Sequence, residues 1–164
     1  MIIQNVIRGY LKYTTIYEKN NKFEEEKNKM RILIAEDDLT SRKFLSKFLS
    51  KYGECDMVVD GLETLDAFIM SINDKKPYDL ICLDIMMPKV DGVKVLKNIR
   101  DLEIQKGIAP ENRAKVIMTT ALAETQLVQN AFSIGCDAYA AKPIDITRFV
   151  QVMRKLGLID EKEA

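Results

Sequence analysis

Residues 79–92 read DLICLDIMMPKVDG. Leu80 to Leu83 form a short apolar run of the kind that makes a strand buried on both faces. The run ends on an acid, Asp84, and is followed by more apolar residues, then Pro88 and Gly92. An ionised carboxylate at the edge of a core is costly unless a cation or hydrogen-bond donors meet it. The rest of the chain must supply those partners.

Four further strand-like runs lie beyond Met30: Arg31–Ala35 (RILIA), Cys55–Val59 (CDMVV), Lys115–Thr120 (KVIMTT) and Asp137–Ala141 (DAYAA). Segments of helical periodicity separate and follow them. Phe44, Leu45, Phe48 and Leu49 mark the first helix, behind Thr40 and Ser41, which can cap it. Leu62, Leu65, Phe68, Ile69 and Ile72 mark the second. Val93, Val95, Leu96 and Ile99 mark the third, and Leu127, Val128, Ala131 and Phe132 the fourth. Ile146, Phe149, Val150, Met153 and Leu156 mark the fifth. Gly53 and Gly135 stand where helices should stop. The polar stretch Arg100–Ala114, with Gly107 and Pro110, reads as a long surface loop.

Strands alternating with helices predict an α/β fold, a doubly wound parallel sheet of five strands with helices on both faces. Ligands of such sheets bind outside the carboxyl ends of the strands. That rule puts Asp84 at a site rather than in the core.

The chain has 164 residues, enough for one domain, and 47% are hydrophobic. Lys+Arg and Asp+Glu both number 25, so net charge makes no case for nucleic-acid or membrane binding. There is no histidine, which excludes histidine-based catalysis, metal ligation and phosphotransfer on this chain. Cys55, Cys82 and Cys136 form no CxxC pair and read as reduced core thiols, consistent with the cytoplasm. No apolar run approaches membrane-spanning length.

Strand one also ends on acid, with Glu36, Asp37 and Asp38 in ILIAEDD. First and third strands of doubly wound sheets are often neighbours, so Glu36 or Asp37 would approach Asp84. Three oxygen ligands on adjacent strand ends suit a hard cation such as Mg2+. The alternative is that EDD caps the following helix, where the helix dipole favours acids. Strand four ends on Thr119 and Thr120, and strand five is followed by Lys142 and Pro143. Acids, a hydroxyl and an ammonium on one rim are equipment for an incoming phosphoryl group, and aspartate can form an aspartyl phosphate.

In ILIAEDD, LDIMMPKVDG, VIMTTA and AYAAKP, in this order, the chain from about Met30 to Leu158 resembles the receiver domain of response regulators in two-component signalling. The resemblance implies a flavodoxin-like strand order 2-1-3-4-5. It implies that Asp84 is the phosphoacceptor, and that Glu36 and Asp37 match the acidic pair, with Asp38 at a more variable position. It further implies Mg2+ held by Asp37, Asp84 and the Met86 backbone carbonyl, with Glu36 acting mainly through water. Thr120, which precedes Ala121, matches the switch hydroxyl, Lys142 the phosphoryl-binding lysine, and Tyr139 the aromatic switch position. The Lys142–Pro143 bond is expected to be cis. Met86 and Leu122 are expected to line the path of attacking water.

The expected organisation is an extension over 1–29, a receiver over 30–159 and a tail over 160–164. The extension reads either as an amphipathic helix with a charged linker, or as a mis-assigned start ahead of Met30. With so short a tail, the expected function is a single-domain response regulator. It would take a phosphoryl group from a histidine kinase or phosphotransfer protein and switch contacts with a downstream protein. The contact face would be the fourth helix, fifth strand and fifth helix, carrying Gln126, Gln129, Asn130, Tyr139, Arg148 and Gln151. Neither nucleic acid nor membrane is expected as a partner, and the protein would be a monomer or a phosphorylation-dependent homodimer. It would not be an enzyme beyond self-catalysed gain and loss of phosphate. The alternatives are a degenerate receiver acting as a scaffold, or an Asp-nucleophile phosphatase. The phosphatase pattern places a second aspartate where Met86 stands, and the intact acids, hydroxyl and lysine count against degeneracy.

Overall fold

The computed structural model describes residues 29–121 and 126–160, together with Lys12, Thr14, Thr15 and Lys19. The amphipathic segment expected before Met30 falls, apart from those few residues, outside what is described, as do Leu122 and the end of the tail.

Five strands, β1 (Met30–Ala35), β2 (Gly53–Val58), β3 (Leu80–Asp84), β4 (Lys115–Thr120) and β5 (Ala138–Ala141), form one sheet in the order β2-β1-β3-β4-β5. Every pairing is parallel. The helices are α1 (Leu39–Leu49), α2 (Gly61–Asn73), α3 (Gly92–Gln105), α4 (Gln126–Ile134) and α5 (Ile146–Lys155), with a 3-10 turn at Pro110–Asn112. The expected fold class and strand order are both observed.

Strand alternation divides the core in two. Leu33, Ile81, Leu83, Val116 and Met118 face α2, α3 and α4, where Phe68, Leu96, Ile99 and Ala131 meet them. Ile32, Ile34, Leu80, Cys82 and Ile117 face α1 and α5, and pack on Leu45, Leu49, Phe149 and Met153. Phe48 bridges those two helices edge-to-face with Phe149, ring centroids 5.6 Å apart. Burying a side chain of this size stabilises by about 1.5–3 kcal/mol, so the double layer, not helix propensity, holds the strand ends in place.

Aspartate opens four helices. Asp38, Asp60, Asp91 and Asp145 each accept a backbone N–H from the first turn of α1, α2, α3 and α5. Capping of α1 thus falls to Asp38, not to Thr40 or Ser41. Gly53 does not stop a helix either: α1 ends at Leu49 with Ser50 as its C-cap, and Gly53 opens β2 in register with Met30.

The surface loop expected over Arg100–Ala114 is also corrected. α3 continues to Gln105, and Arg100 and Glu103 are buried at 8% and 1% exposure. Their charges read as solvated in sequence because, besides their own pair, the groups that satisfy them come from the Ala114 and Gly135 backbone and from Asp137. Among the described residues no helix is long and apolar enough to cross a membrane.

Candidate functional site

The carboxyl ends of β1 and β3 are adjacent in the sheet, with Ala35 opposite Leu83. Glu36, the residue after β1, and Asp84, the last residue of β3, are therefore neighbours. Glu36 is fully buried and Asp84 is 4% exposed, while Asp37 faces solvent. One carboxylate oxygen from each of the three lies within 4.8 Å of the others. The trio EDD is thus split by role: Asp38 caps α1 through Ser41 N at 2.7 Å, and the first two acids stay with Asp84.

Lys142 follows β5 and reaches across the rim. Its Nζ stands 2.6 Å from Glu36 Oε2 and 3.2 Å from Asp84 Oδ2. Its backbone N–H donates to Thr120 O at 2.8 Å, and the Lys142–Pro143 peptide is cis. Arg42 donates to the backbone carbonyls of Glu36 and Asp37, not to their carboxylates. Three carboxylates thus face one ammonium, a surplus of two negative charges if all are ionised.

Burial pushes the Asp84 carboxyl up to about 6, the Glu36 charge adds to the rise, and Lys142 and the Met86 N–H oppose it. Burial works against the Lys142 ammonium, but hydrogen bonds and charges from Glu36 and Asp84 outweigh it and hold its pKa above the usual lysine range. An all-oxygen donor set with uncompensated negative charge fits a hard divalent cation.

The loop after β3 keeps Asp84 at the rim. Ile85 N–H donates to Thr119 O at 3.1 Å, and Gly92 N–H closes the loop onto Ile85 O at 2.9 Å. A Cβ on Gly92 would sit 2.1 Å from Asp84 O, so the backbone crossing requires glycine. Met86 N–H donates to Asp84 Oδ1 at 3.3 Å, and the Met86 side chain is exposed.

Thr119 pairs with Asp84 in register, and Thr120 lies one residue further along β4; both are fully buried. Strand alternation turns Thr120 to the face of Tyr139, which packs edge-to-face on Phe132 of α4. Tyr139 is 36% exposed. Two features escaped the sequence. One is the Thr119 hydroxyl beside Asp84, buried with no hydrogen-bond partner among the described residues. The other is the pair Lys89 and Asp60, whose Nζ and Oδ2 stand 2.5 Å apart. Its only sequence signals are the DG of β2–α2 and the PK of the β3 loop, which lie far apart in the chain.

A family model described as "Response regulator receiver domain" matches residues 32–154. The chemotaxis protein CheY of Treponema pallidum is 33% identical over 118 residues, covering 70% of this chain and 74% of that protein. A probable histidine kinase 2 of Oryza sativa subsp. indica is 30% identical over 134 residues, which cover 76% of this chain but 12% of the kinase. Among solved structures, the CheX–CheY–BeF3–Mg2+ complex from Borrelia burgdorferi matches with a TM-score of 0.64 and 30% identity, over 78% of this chain and 89% of that one.

Proposed function

Because the chain belongs to the response-regulator receiver family, we propose that it is a phosphoacceptor switch in which Asp84 carries the phosphoryl group. One observation carries the reading: Lys142 Nζ lies within 3.2 Å of Asp84 and 2.6 Å of Glu36, beside three acids grouped on adjacent strand ends.

The donor is a phosphohistidine on a histidine kinase or phosphotransfer protein. As a carboxylate, Asp84 attacks phosphorus with one Oδ. The new O–P bond forms as the donor's P–N bond breaks, and the electron pair leaves with the imidazole nitrogen. Glu36, Asp37, Asp84 and the Met86 backbone carbonyl would hold Mg2+, with Glu36 acting mainly through water. A bound Mg2+ neutralises charge on the phosphoryl oxygens. Lys142 shifts from bridging Glu36 and Asp84 to donating to a phosphoryl oxygen. Water later attacks the acyl phosphate, which restores the carboxylate and releases inorganic phosphate; no other substrate is turned over.

The phosphoryl group adds close to two negative charges and strong acceptor oxygens. Thr120 donates its hydroxyl to one of them, and Tyr139, on the same face of the sheet, turns inward. The contact surface of α4, β5 and α5 changes with it. A groove of about 410 Å3 between β5 and α5, lined by Tyr139, Lys142, Arg148 and Val152 among others, gives a target protein a place to read that change. On this reading residues 30–159 are a single receiver in the cytoplasm, monomeric or dimerising on phosphorylation, with 1–29 as an extension and 160–164 as a tail. Its output is contact with another protein.

Incubation with acetyl phosphate and Mg2+ should place one acid-stable, base-labile phosphoryl group on Asp84, detected by mass spectrometry of digests. Asp84→Asn should abolish it. Label at another residue, or none in a protein that binds Mg2+, overturns the assignment. Thr120→Ala should still be phosphorylated, with Tyr139 ring signals that no longer respond to beryllofluoride.

A further inference from the structure

The loop Ile85–Asp91 carries Met86, whose N–H already bonds Asp84 and whose carbonyl belongs to the proposed metal set. Part of that loop is held in a costly shape. Val90 N–H donates to Pro88 O at 2.8 Å, two residues back, and the residue between them, Lys89, has φ +65°. A three-residue turn with positive φ at its centre is the rare, strained γ-turn, and lysine gains nothing there from its own side chain. Such a conformation persists only when its surroundings impose it.

The surroundings are the start of α2. A Cβ on Gly61 would lie 2.1 Å from Val90 O and 2.7 Å from Val90 Cβ, so α2 begins in direct contact with the loop. Gly61 N–H points at Pro88 O at 3.5 Å. Lys89 Nζ stands 2.5 Å from Asp60 Oδ2, while Asp60 Oδ1 caps α2 through Glu63 N–H at 2.9 Å. Asp60 is buried, unlike the exposed acids of ordinary surface ion pairs, and one carboxylate serves both the helix and the loop. The same segment touches the acidic rim from behind, since Glu36 N–H donates to Val58 O at 3.2 Å.

We propose that Lys89 and Asp60 are positioning residues: their ion pair clamps the β3 loop against α2, and so fixes the Met86 backbone relative to Asp84. The proposal rests on the phosphoacceptor reading for its consequence, but the clamp itself can be tested without phosphate or metal. Outer partners that orient metal ligands typically cost about 10–100-fold in affinity when removed. At a single loop contact the lower end applies, so breaking the pair should weaken Mg2+ binding about tenfold.

The sign of the effect separates positioning from simple charge. Lys89→Met removes a cation near an acidic cleft, and Asp60→Asn removes an anion. Acting only through space, the first would tighten Mg2+ binding and the second would weaken it. As a clamp, both weaken it, and the double variant is no worse than either single one. Asn caps helices about as well as Asp, so Asp60→Asn keeps α2 intact. Lys89→Arg should restore binding.

The experiment is a Mg2+ titration followed by amide NMR on the full chain and these four variants, with hydrogen exchange of the Val90 and Met86 amides measured in chelator. The expected result is weaker Mg2+ binding of the same size in Lys89→Met, Asp60→Asn and the double variant. Faster exchange at Val90 and Met86 should accompany it, with near-native behaviour in Lys89→Arg. Opposite shifts in the two single variants, or unchanged Val90 exchange in both, overturn the clamp. Should the native chain bind no Mg2+, the phosphoacceptor reading fails on its metal, and the exchange data still decide whether the clamp exists.

Discussion

The two ends of the sheet treat charge in opposite ways. At the amino end of β4, Arg100 donates from Nη1 to Glu103 at 2.7 Å and to Ala114 O at 2.9 Å, from Nε to Gly135 O at 3.0 Å, and from Nη2 to Asp137 at 2.9 Å. Glu103 also accepts from Ala114 N–H, Asp137 accepts from Val116 N–H, and Lys115 approaches Asp137 at 3.5 Å. Two cations meet two anions, and each acid also has a backbone donor. At the carboxyl end, three acids are grouped and one lysine pairs with two of them, Glu36 and Asp84. A fully matched cluster fixes structure and has no need of a visitor; an unmatched one is stabilised by whatever positive charge arrives. The difference marks the carboxyl end as the place where an arriving cation would be stabilised.

The largest effect should come from breaking the matched end. Arg100→Met keeps much of the side-chain volume but leaves the buried Glu103 without its cation and the half-buried Asp137 with Lys115 alone. Removing one partner of a buried ion pair typically costs about 3–5 kcal/mol. Urea denaturation should register that loss equally with and without Mg2+. A loss under about 1 kcal/mol would mean that the cluster is better hydrated than its burial implies.

The unmatched end should respond in the other direction. Mg2+ at a hundred times its Kd should stabilise the native chain by about 2.7 kcal/mol, and Asp84→Asn should lose most of that gain. Without metal, Asp84→Asn should itself be stabilising. The folded pKa of Asp84, about 6, lies above the value near 3.9 of an unfolded aspartate. Between those values the folded state holds more protons than the unfolded state, so native stability falls as pH rises through the window. Because Lys142 and the Met86 N–H offset part of the cost of burial and of the Glu36 charge, the penalty at pH 7.5 should be about 1–2 kcal/mol. In chelator, the variant should exceed the native chain by that amount at pH 7.5, with the gap closing as pH falls toward about 4. Equal stabilities at pH 7.5 would refute a penalised carboxylate.

How much of this was legible in the sequence follows the same division. The acids, Thr120 and Lys142 could be read because each stands where an apolar run ends, and the topology of a parallel sheet gathers such ends by rule. The matched cluster could not. Arg100 and Glu103 look solvated until Ala114, Gly135 and Asp137 are brought to them, and periodicity has no signal for partners that distant. Lys89 and Asp60 were hidden for the same reason, since their contact depends on α2 lying beside the β3 loop. The split within Glu36–Asp38 was ambiguous because helix capping and ligand binding both favour acids at a strand-to-helix junction.

The smallest predicted effect lies between the two ends, on the α4 face. Phe132 and Tyr139 meet edge-to-face with ring centroids 6.0 Å apart at 88°, and both rings are partly exposed. Buried aromatic pairs contribute about 0.5–1.5 kcal/mol beyond their area, and solvent contact places this one at the low end. Phe132→Ala should therefore lower stability by less than about 1 kcal/mol, because it removes no core contact. Its effect on Tyr139 should be easier to see. About 0.5 kcal/mol of lost support changes the ratio of outward to inward ring positions roughly twofold. Tyr139 ring resonances in unphosphorylated Phe132→Ala should move part of the way toward those of the beryllofluoride-bound native protein, and the remaining response to beryllofluoride should shrink accordingly. The shift should persist in Phe132→Ala combined with Thr120→Ala, since Phe132 touches the ring directly, whereas the proposed role of Thr120 begins only once a phosphoryl group is on Asp84. Ring resonances that stay at their native positions in Phe132→Ala would show that β5 alone, and not α4, holds Tyr139 outward.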